Sequence, residues 1–260
     1  MTTTAILRAE GLAKRFGGVQ ALNAVDFECK AGEVVALMGD NGAGKSTLIR
    51  ILCGATKPDS GQILINGTVR SISRPQDAVT NGISVVYQDL ALVGSMDVAR
   101  NVFLGHELRK FGFIRISKMR EEATMLLGQL KINISSSKLQ VESLSGGQRQ
   151  CIAIARAVRL GSDFVLLDEP TAALGPEQQA NVLRIVTELR NAGKGVVLIS
   201  HNIDQVLAVS DRIVVMRGGQ VAGMRNTKET NTQEIVSMIV GDQSFVKHNL
   251  QNQSTSLKGE

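Results

Sequence analysis

The sequence predicts an α/β fold: a mostly parallel sheet covered by helices on both faces, with a helical insert partway along the chain. Two observations carry the prediction. Short, nearly unbroken aliphatic runs at residues 33–38, 164–167 and 196–199 alternate with stretches of helical period, as strands buried on both faces do when crossover helices join them. Between about residues 89 and 160 that alternation stops, and apolar residues fall into helical stripes instead. At 260 residues, 43% hydrophobic and 20% charged, the chain has enough apolar material for a sizeable core.

Residues 24–29 and 33–38 are predicted strands joined by Lys30-Ala31-Gly32, and the second runs through a glycine-rich loop into a helix over 45–53. A further strand is predicted at 83–87. In the insert, Asp97 is placed to cap a short helix carrying Val98, Val102 and Phe103, and Ser117 to cap a longer one. Met119, Ala123, Leu126, Leu127 and Leu130 share one face of that longer helix. The earlier rhythm returns with a strand at 164–167, a helix over Pro176–Asn191 and a strand at 196–199. Pro176 suits a first helical turn, and Gly193 sits where a helix stops. Val182, Leu183, Ile185, Val186 and Leu189 form the inner side of this helix. Arg212 to Met216, followed by Gly218-Gly219, predicts a hairpin. Residues 5–242 are read as one folded unit, and the Asn/Gln/Ser/Lys-rich end, 243–260, as a disordered tail.

Composition narrows the function classes. The chain has no tryptophan and one tyrosine, Tyr87, so it does not read as an aromatic-rich surface for stacking nucleic acid or sugars. Its net charge of +5 is compatible with phosphate ligands, anionic lipid headgroups or nucleic acid, but no dense Lys/Arg stripe favours nucleic acid. Cys29, Cys53 and Cys151 are widely spaced, lie in apolar runs and have no metal-ligand spacing, which predicts buried, reduced thiols. The start Met1-Thr2-Thr3-Thr4 lacks the features of a signal peptide, and no apolar run approaches the roughly 20 residues of a membrane span.

Gly39-Asp40-Asn41-Gly42-Ala43-Gly44-Lys45-Ser46 matches the pattern of a phosphate-binding loop in full. Glycines let the backbone curl so that successive N–H groups converge on phosphate oxygens, and the helix that follows adds the positive end of its dipole. Lys45 is expected to reach the β- and γ-phosphates of a nucleotide, Ser46 to ligate Mg²⁺, and Thr47 to line the same cradle. The run Phe164-Val165-Leu166-Leu167-Asp168-Glu169 is an apolar strand that ends in two carboxylates. Sites on parallel sheets lie beyond the carboxyl ends of the strands, so Asp168 is a candidate for the Mg²⁺ shell and Glu169 for polarising a water.

Leu144-Ser145-Gly146-Gly147-Gln148 is a third motif, and five specified residues match by chance only about once in a million positions. Ser145 and Gln148 have capping-box spacing, and Gly146 and Gly147 expose N–H groups at the helix start. This makes a second anion site about a hundred residues beyond the first. One phosphate chain does not need two distant cradles from one protomer, so two protomers head to tail are expected to exchange them.

With these motifs the sequence resembles the ATP-binding-cassette ATPases, P-loop NTPases with an antiparallel β subdomain and a helical subdomain beside the core sheet. The resemblance covers about residues 5–242 and places the helical subdomain at about 89–160. It implies that Phe16, before Gly17-Gly18-Val19, stacks on adenine in place of the more usual tyrosine. By the same likeness Gln88 contacts Mg²⁺ and the attacking water, and His201 bonds the γ-phosphate. One departure stands out: after Pro170-Thr171 the cross-dimer loop usually ends Leu-Asp, whereas here it reads Ala172-Ala173-Leu174-Gly175.

Within the family, Ser73-Arg74-Pro75-Gln76-Asp77-Ala78, Asn81-Gly82-Ile83 and Asn101-Val102-Phe103-Leu104-Gly105 resemble the ribose, xylose and fructose branch of bacterial monosaccharide importers. That likeness implies an ATP-hydrolysing subunit on the cytoplasmic face of the inner membrane. Its partners would be a second cassette, multi-span permease subunits and, indirectly, a periplasmic sugar-binding protein. A non-transport cassette acting on nucleic acid, or an importer of another solute, are the alternative readings. The first is disfavoured because neither a coiled-coil insert nor a second cassette is present.

Overall fold

The computed structural model of the chain describes residues 5–241, so the tail expected over 243–260 lies outside the described residues. In chain order the first elements are β1 (Ile6–Phe16), β2 (Val19–Lys30), β3 (Val34–Met38), α1 (Lys45–Leu52), β4 (Ser60–Ile65), β5 (Thr68–Arg70), α2 (Pro75–Thr80) and β6 (Ile83–Val86). Next come α3 (Val98–Val102), β7 (Arg109–Lys110), β8 (Phe113–Ile114), α4 (Ile116–Gln129) and α5 (Gly146–Arg159). The chain then returns to the sheet with β9 (Phe164–Asp168), α6 (Pro176–Asn191), β10 (Gly195–Ile199), α7 (Ile203–Val209), β11 (Arg212–Arg217), β12 (Gln220–Asn226) and α8 (Thr232–Val240).

The central sheet has six strands in the order β12-β11-β3-β10-β9-β6, all parallel except the edge hairpin partner β12. Its strands are apolar on both faces because both are covered. In β9, Phe164 and Leu166 face one core with α1 and the second sheet, while Val165 and Leu167 face another with α5 and α6. Val197 and Ile199 against Val196 and Leu198 repeat that division in β10. Each such fully buried aliphatic side chain contributes about 1.5–3 kcal/mol. A third, smaller cluster places Ala36, Met38, Ile213 and Val215 under α7 and α8.

The second sheet is antiparallel, in the order β2-β1-β4-β5. Lys30-Ala31-Gly32 therefore passes the chain between two sheets and does not close a hairpin. Arg212 locks this junction: its guanidinium bonds both carboxylate oxygens of Glu33, at 2.8 and 3.1 Å, and the Glu28 carbonyl at 2.8 Å.

Between β6 and β9 the chain leaves the sheet. Asp97 caps α3 as expected, accepting from the Arg100 N–H at 2.8 Å, and Val98, Val102 and Phe103 are fully buried. Along α4, Met119, Ala123 and Leu127 are buried, and Leu130 follows at its C-cap. Ser117 does not cap α4. The cap position is Arg115, and Ser117 lies inside the first turn, because the small β7–β8 hairpin delivers the chain at Arg115. Strands of two residues are too short to register in any hydrophobic period, so this hairpin was not legible in the sequence.

Asp97 is buried and holds two partners, the α3 N-terminus and the Arg120 guanidinium at 2.8 Å. Asp97→Ala is expected to lower stability by about 1–3 kcal/mol, from the lost cap and an unpaired arginine. Urea unfolding measures this, and an unchanged midpoint would show that the cap does not hold the insert in place.

Candidate active site

Parallel pairing brings the predicted site residues to one edge. Leu37 of β3 pairs with Ile199 of β10, Ile199 pairs with Asp168 of β9, and Leu167 pairs with Val86 of β6. The Gly39–Ser46 loop, His201, the Asp168-Glu169 pair and Gln88 thus leave the carboxyl ends of four adjacent strands. Segments far apart in sequence meet there because crossover helices return every strand in the same direction.

The glycines of the loop do different jobs. A Cβ on Gly39 (φ 143°) would lie 2.1 Å from the Met216 carbonyl oxygen, and one on Gly44 (φ 104°) 2.6 Å from that of Ala21. These two allow the loop to pass β11 and the start of β2, whereas Gly42 supplies a left-handed turn in open space. Lys45 lies only 6% exposed, and its ammonium donates to the carbonyls of Gly39 at 2.7 Å and Asp40 at 2.9 Å. Burial lowers its pKa, while Glu169, Asp40 and Asp168 act in the opposite direction. Ser46 and Thr47 follow on the first turn of α1. Phe16 ends β1 and is half-exposed, with the Lys14 ammonium 5.6 Å from its ring centre.

At the end of β9, burial and the neighbouring Glu169 raise the pKa of Asp168, opposed by Arg50, Lys45 and His201. Glu169 itself sits at φ 50°, a conformation disfavoured for a side chain of this size. Its N–H bonds the Ile199 carbonyl at 3.1 Å and its carbonyl accepts from Ala172 at 3.1 Å, so β10 and the following turn hold it there. His201 Nε2 lies 2.7 Å from Glu169 Oε1. The two face a cavity of about 200 Å³ that is also lined by Thr171, Ala173 and Gln205. The chain Thr171–Gln205–Gln179–Leu174 (2.7, 2.8 and 2.9 Å) ties the loop after Glu169 to α6 and α7. Gly175 occupies the N-cap of α6 without a side-chain bond, where an aspartate would have supplied one.

The loop after Gln88 is fastened by residues that sequence reading missed. Arg156 on α5 donates to the carbonyls of Leu90 at 2.6 Å and Ala91 at 2.8 Å. Asn101, fully buried, accepts from the Val93 N–H and donates to the carbonyls of Val93, Met96 and Asp97. Tyr87 bonds Cys53 at the end of α1 at 2.9 Å, which links the phosphate-loop helix to the strand before Gln88. The other two cysteines are buried and free, as expected, and burial pushes the Cys151 thiol up to about 11.

Ser145 caps α5 with the predicted reciprocal bonds, accepting from Gln148 N–H at 3.2 Å and donating its own N–H to Gln148 Oε1 at 3.0 Å. Its second glycine has a further reason. A Cβ on Gly147 would stand 2.8 Å from the Gln178 Cβ, so only glycine lets α5 approach α6 here. No local signal reveals that contact. The cap faces a cavity of about 410 Å³ lined by α5, α6 and the turn at Lys131, and no residue of the Gly39–Thr47 loop lines it. Within one chain the Ser145 cap and the Gly39–Thr47 loop therefore do not share this cavity.

The profile of the ABC transporter family matches residues 22–172. The chain is 44% identical over 234 residues to the xylose/arabinose import ATP-binding protein of Sulfolobus acidocaldarius, a match that covers 90% of this chain and 93% of that one. This chain belongs to the ABC transporter family. It is 41% identical over 249 residues to the fructose import ATP-binding protein of Rhizobium meliloti, covering 93% and 96% of the two chains. The ribose import ATP-binding protein of Hahella chejuensis is 40% identical over 237 residues, and there the match spans 91% of this chain but 47% of the relative, about half its length. Among solved structures, the ATP-binding cassette MJ1267 in its ADP conformation superposes with a TM-score of 0.79 at 28% identity, over 95% of this chain and 99% of that one. The cassette MJ0796, dimeric and bound to ADP and Pi, superposes at 0.72 with 25% identity, over 86% of this chain and all of that one. The ABC cassette is thus an ATPase of the expected fold, α/β with a mostly parallel sheet.

The raised pKa of Asp168 sets a stability signature. Its folded value lies above the ordinary 3.8, so the stability that protonation confers is complete below that value and is lost as pH rises through the folded value. Asp168→Asn fixes a neutral side chain and is expected to unfold at higher urea than the parent at pH 7. The gap should close at about pH 3, where both are neutral. Equal midpoints at neutral pH would count against an uncompensated carboxylate.

Proposed function

We propose that this chain is the energy-coupling subunit of a monosaccharide importer, working as a homodimer on the cytoplasmic face of the inner membrane and hydrolysing ATP to drive permease subunits. The observation that carries the shared-site part is the separation of the Ser145 cap from the Lys45 cradle within one chain. A head-to-tail pair supplies both to one nucleotide. The dimeric cassette among the structural neighbours supports this arrangement. Two near-full-length relatives named as sugar import ATP-binding proteins support the substrate class, with a periplasmic sugar-binding protein as the indirect partner. Among the described residues no helix is long and apolar enough to cross a membrane.

In the proposed mechanism the N–H groups of Gly39 through Thr47, with the dipole of α1, bind the phosphates of ATP. Phe16 stacks on the base. The Lys45 ammonium exchanges its two carbonyl partners for β- and γ-phosphate oxygens. Ser46, Asp168 and Gln88 are the donors for Mg²⁺. Among the described residues no group of three His, Cys, Asp or Glu side chains is placed to hold a metal ion by itself, so phosphate and water would complete the shell. Its local fit is the half-buried, repelled Asp168 carboxylate, whose charge a cation would offset. Bound there, Mg²⁺ supplies charge neutralisation on the phosphates. Glu169 orients the water whose oxygen attacks the γ-phosphorus as the bond to the β–γ bridging oxygen breaks. His201, 2.7 Å from Glu169, bonds a γ-phosphate oxygen and keeps that carboxylate in place. Gly146, Gly147 and the Ser145 hydroxyl of the second copy close over the same phosphates, with Gln148 holding their cap.

Glu169→Gln keeps the side-chain shape and removes the carboxylate. With ATP it is expected to accumulate as a stable dimer by size-exclusion chromatography, with turnover reduced at least a hundredfold, in the range of lost general-base assistance. A variant that remains monomeric with ATP would overturn the shared site. The importer reading is tested by affinity purification from detergent-solubilised membranes. A multi-span protein co-purifying with the full chain is expected, and its absence would remove the transport assignment while leaving the ATPase intact.

A further inference from the structure

We propose that the β7–β8 hairpin is a lipid-contacting tip that settles into the headgroup layer of an anionic membrane. All of residues 109–115 are exposed, and they include the largest apolar exposure in the described chain: Phe111 is 88% and Phe113 80% exposed, with Ile114 at 48%. A two-residue turn, Phe111-Gly112, joins the strands, with Lys110 paired to Phe113 and Arg109 to Ile114. Both turn residues have positive φ, 51° and 84°. Hairpins of this type favour Asn-Gly or Asp-Gly, because a bulky side chain is disfavoured in the left-handed region. Phe111 is therefore held where the turn resists it, and its neighbours cover little of it. The Lys110 ammonium lies 5.5 Å from the centre of its ring. A ring placed outward against a conformational cost points to a partner beyond the chain.

Charge identifies that partner. From Leu108 to Arg120 the sequence holds Arg109, Lys110, Arg115, Lys118 and Arg120 and no acid. Arg120 is engaged by Asp97 and Lys118 by Glu121, and Arg109 lies 3.8 Å from Glu107. Lys110 and Arg115 have no carboxylate within ion-pair distance among the described residues. The hairpin thus presents the first cations of this run, Arg109, Lys110 and Arg115, beside its exposed rings. Apolar rings flanked by cations match the layered chemistry of a membrane surface, where acyl boundary and anionic headgroups lie within one side-chain length. A protein partner would bury roughly 800 Å² per side, more than a hairpin of two-residue strands presents. The base of the hairpin is firm enough to aim it: Phe103 is fully buried, and Arg159 stacks on its ring at 4.3 Å and donates to the Val102 carbonyl.

The inference does not depend on a sugar, a permease or ATP, and the vesicle-binding assay contains none of them. The full chain is sedimented with vesicles of phosphatidylcholine alone, or with about three tenths phosphatidylglycerol added. Binding to the anionic vesicles, weakened by salt and absent on the neutral ones, is expected. The double variant Phe111→Asn/Phe113→Ser should bind roughly tenfold more weakly, while its ATP turnover stays unchanged and its unfolding midpoint is equal or higher, because Asn-Gly suits the turn. Lys110→Ser/Arg115→Ser should lose the preference for anionic lipid. The proposal is overturned if the parent ignores anionic vesicles, or if the Phe variant binds them as the parent does. It is also overturned if that variant loses turnover or stability, which would make the hairpin structural. Weakened capture of a membrane protein with unchanged vesicle binding would assign the tip to protein docking instead.

Discussion

Parallel pairing of β3, β10, β9 and β6 is the constraint on which the rest of the molecule depends. It requires both faces of the sheet to be covered, and the alternation of side chains in β9 and β10 between two cores meets that demand. It also fixes where chemistry can occur, since four loops leave from one edge and none of their functional groups needs a long excursion to meet. Gly195 shows how the register is held. It pairs with Phe164, and a Cβ there would stand 2.6 Å from the Phe164 ring and 2.8 Å from the Lys30 carbonyl. Glycine at that position seats the phenylalanine and so aligns β10 with β9, which in turn sets Ile199 beside Asp168.

Burial at this edge acts on opposite charges in a consistent way. It lowers the pKa of Lys45 and raises that of Asp168, so each group is made less willing to carry its charge. Their mutual attraction offsets only part of that cost. A polyanion reaching Lys45 and a cation reaching Asp168 would relieve both, which is the sense in which the site is organised in advance for a nucleotide with its metal. The positive φ of Glu169 belongs to the same design, because an ordinary extended residue there would carry the carboxylate onward along the strand and away from His201.

What the sequence made legible was local. The capping boxes and caps at Ser145 and Asp97, the glycine loop, and the helix Pro176–Asn191 all depend on residues within four positions of each other. Ser117 has the same local appearance but does not cap, because the hairpin ahead of it determines where α4 begins. Features set by distant contacts were not legible. Gly147 reads as an exposed N–H donor, yet its lack of a side chain is demanded by Gln178 on another helix. The hairpin that presents the cationic, aromatic tip was not legible because a two-residue strand has no period.

The tethers around Gln88 join the two halves of the proposed mechanism. Arg156 grips the Leu90 and Ala91 carbonyls from α5, the helix that begins at the Ser145 cap. Asn101 secures the next stretch, to Asp97. Tyr87 and Cys53 connect the strand before Gln88 back to α1, the helix that begins at Lys45. Gln88 therefore stands between two hydrogen-bonded attachments, one leading to the chain's own phosphate cradle and the other to the cap it would offer to a second copy. A shift at Gln88 cannot be absorbed by the loop alone, since Arg156 is half-buried and its guanidinium would be left without partners in a poorly solvated place. The insert would have to move with it. In the proposed mechanism a nucleotide pulling on Gln88 would thereby reorient the Ser145 surface as a body, as a site divided between two chains would require if closure on one nucleotide is to be communicated to the other.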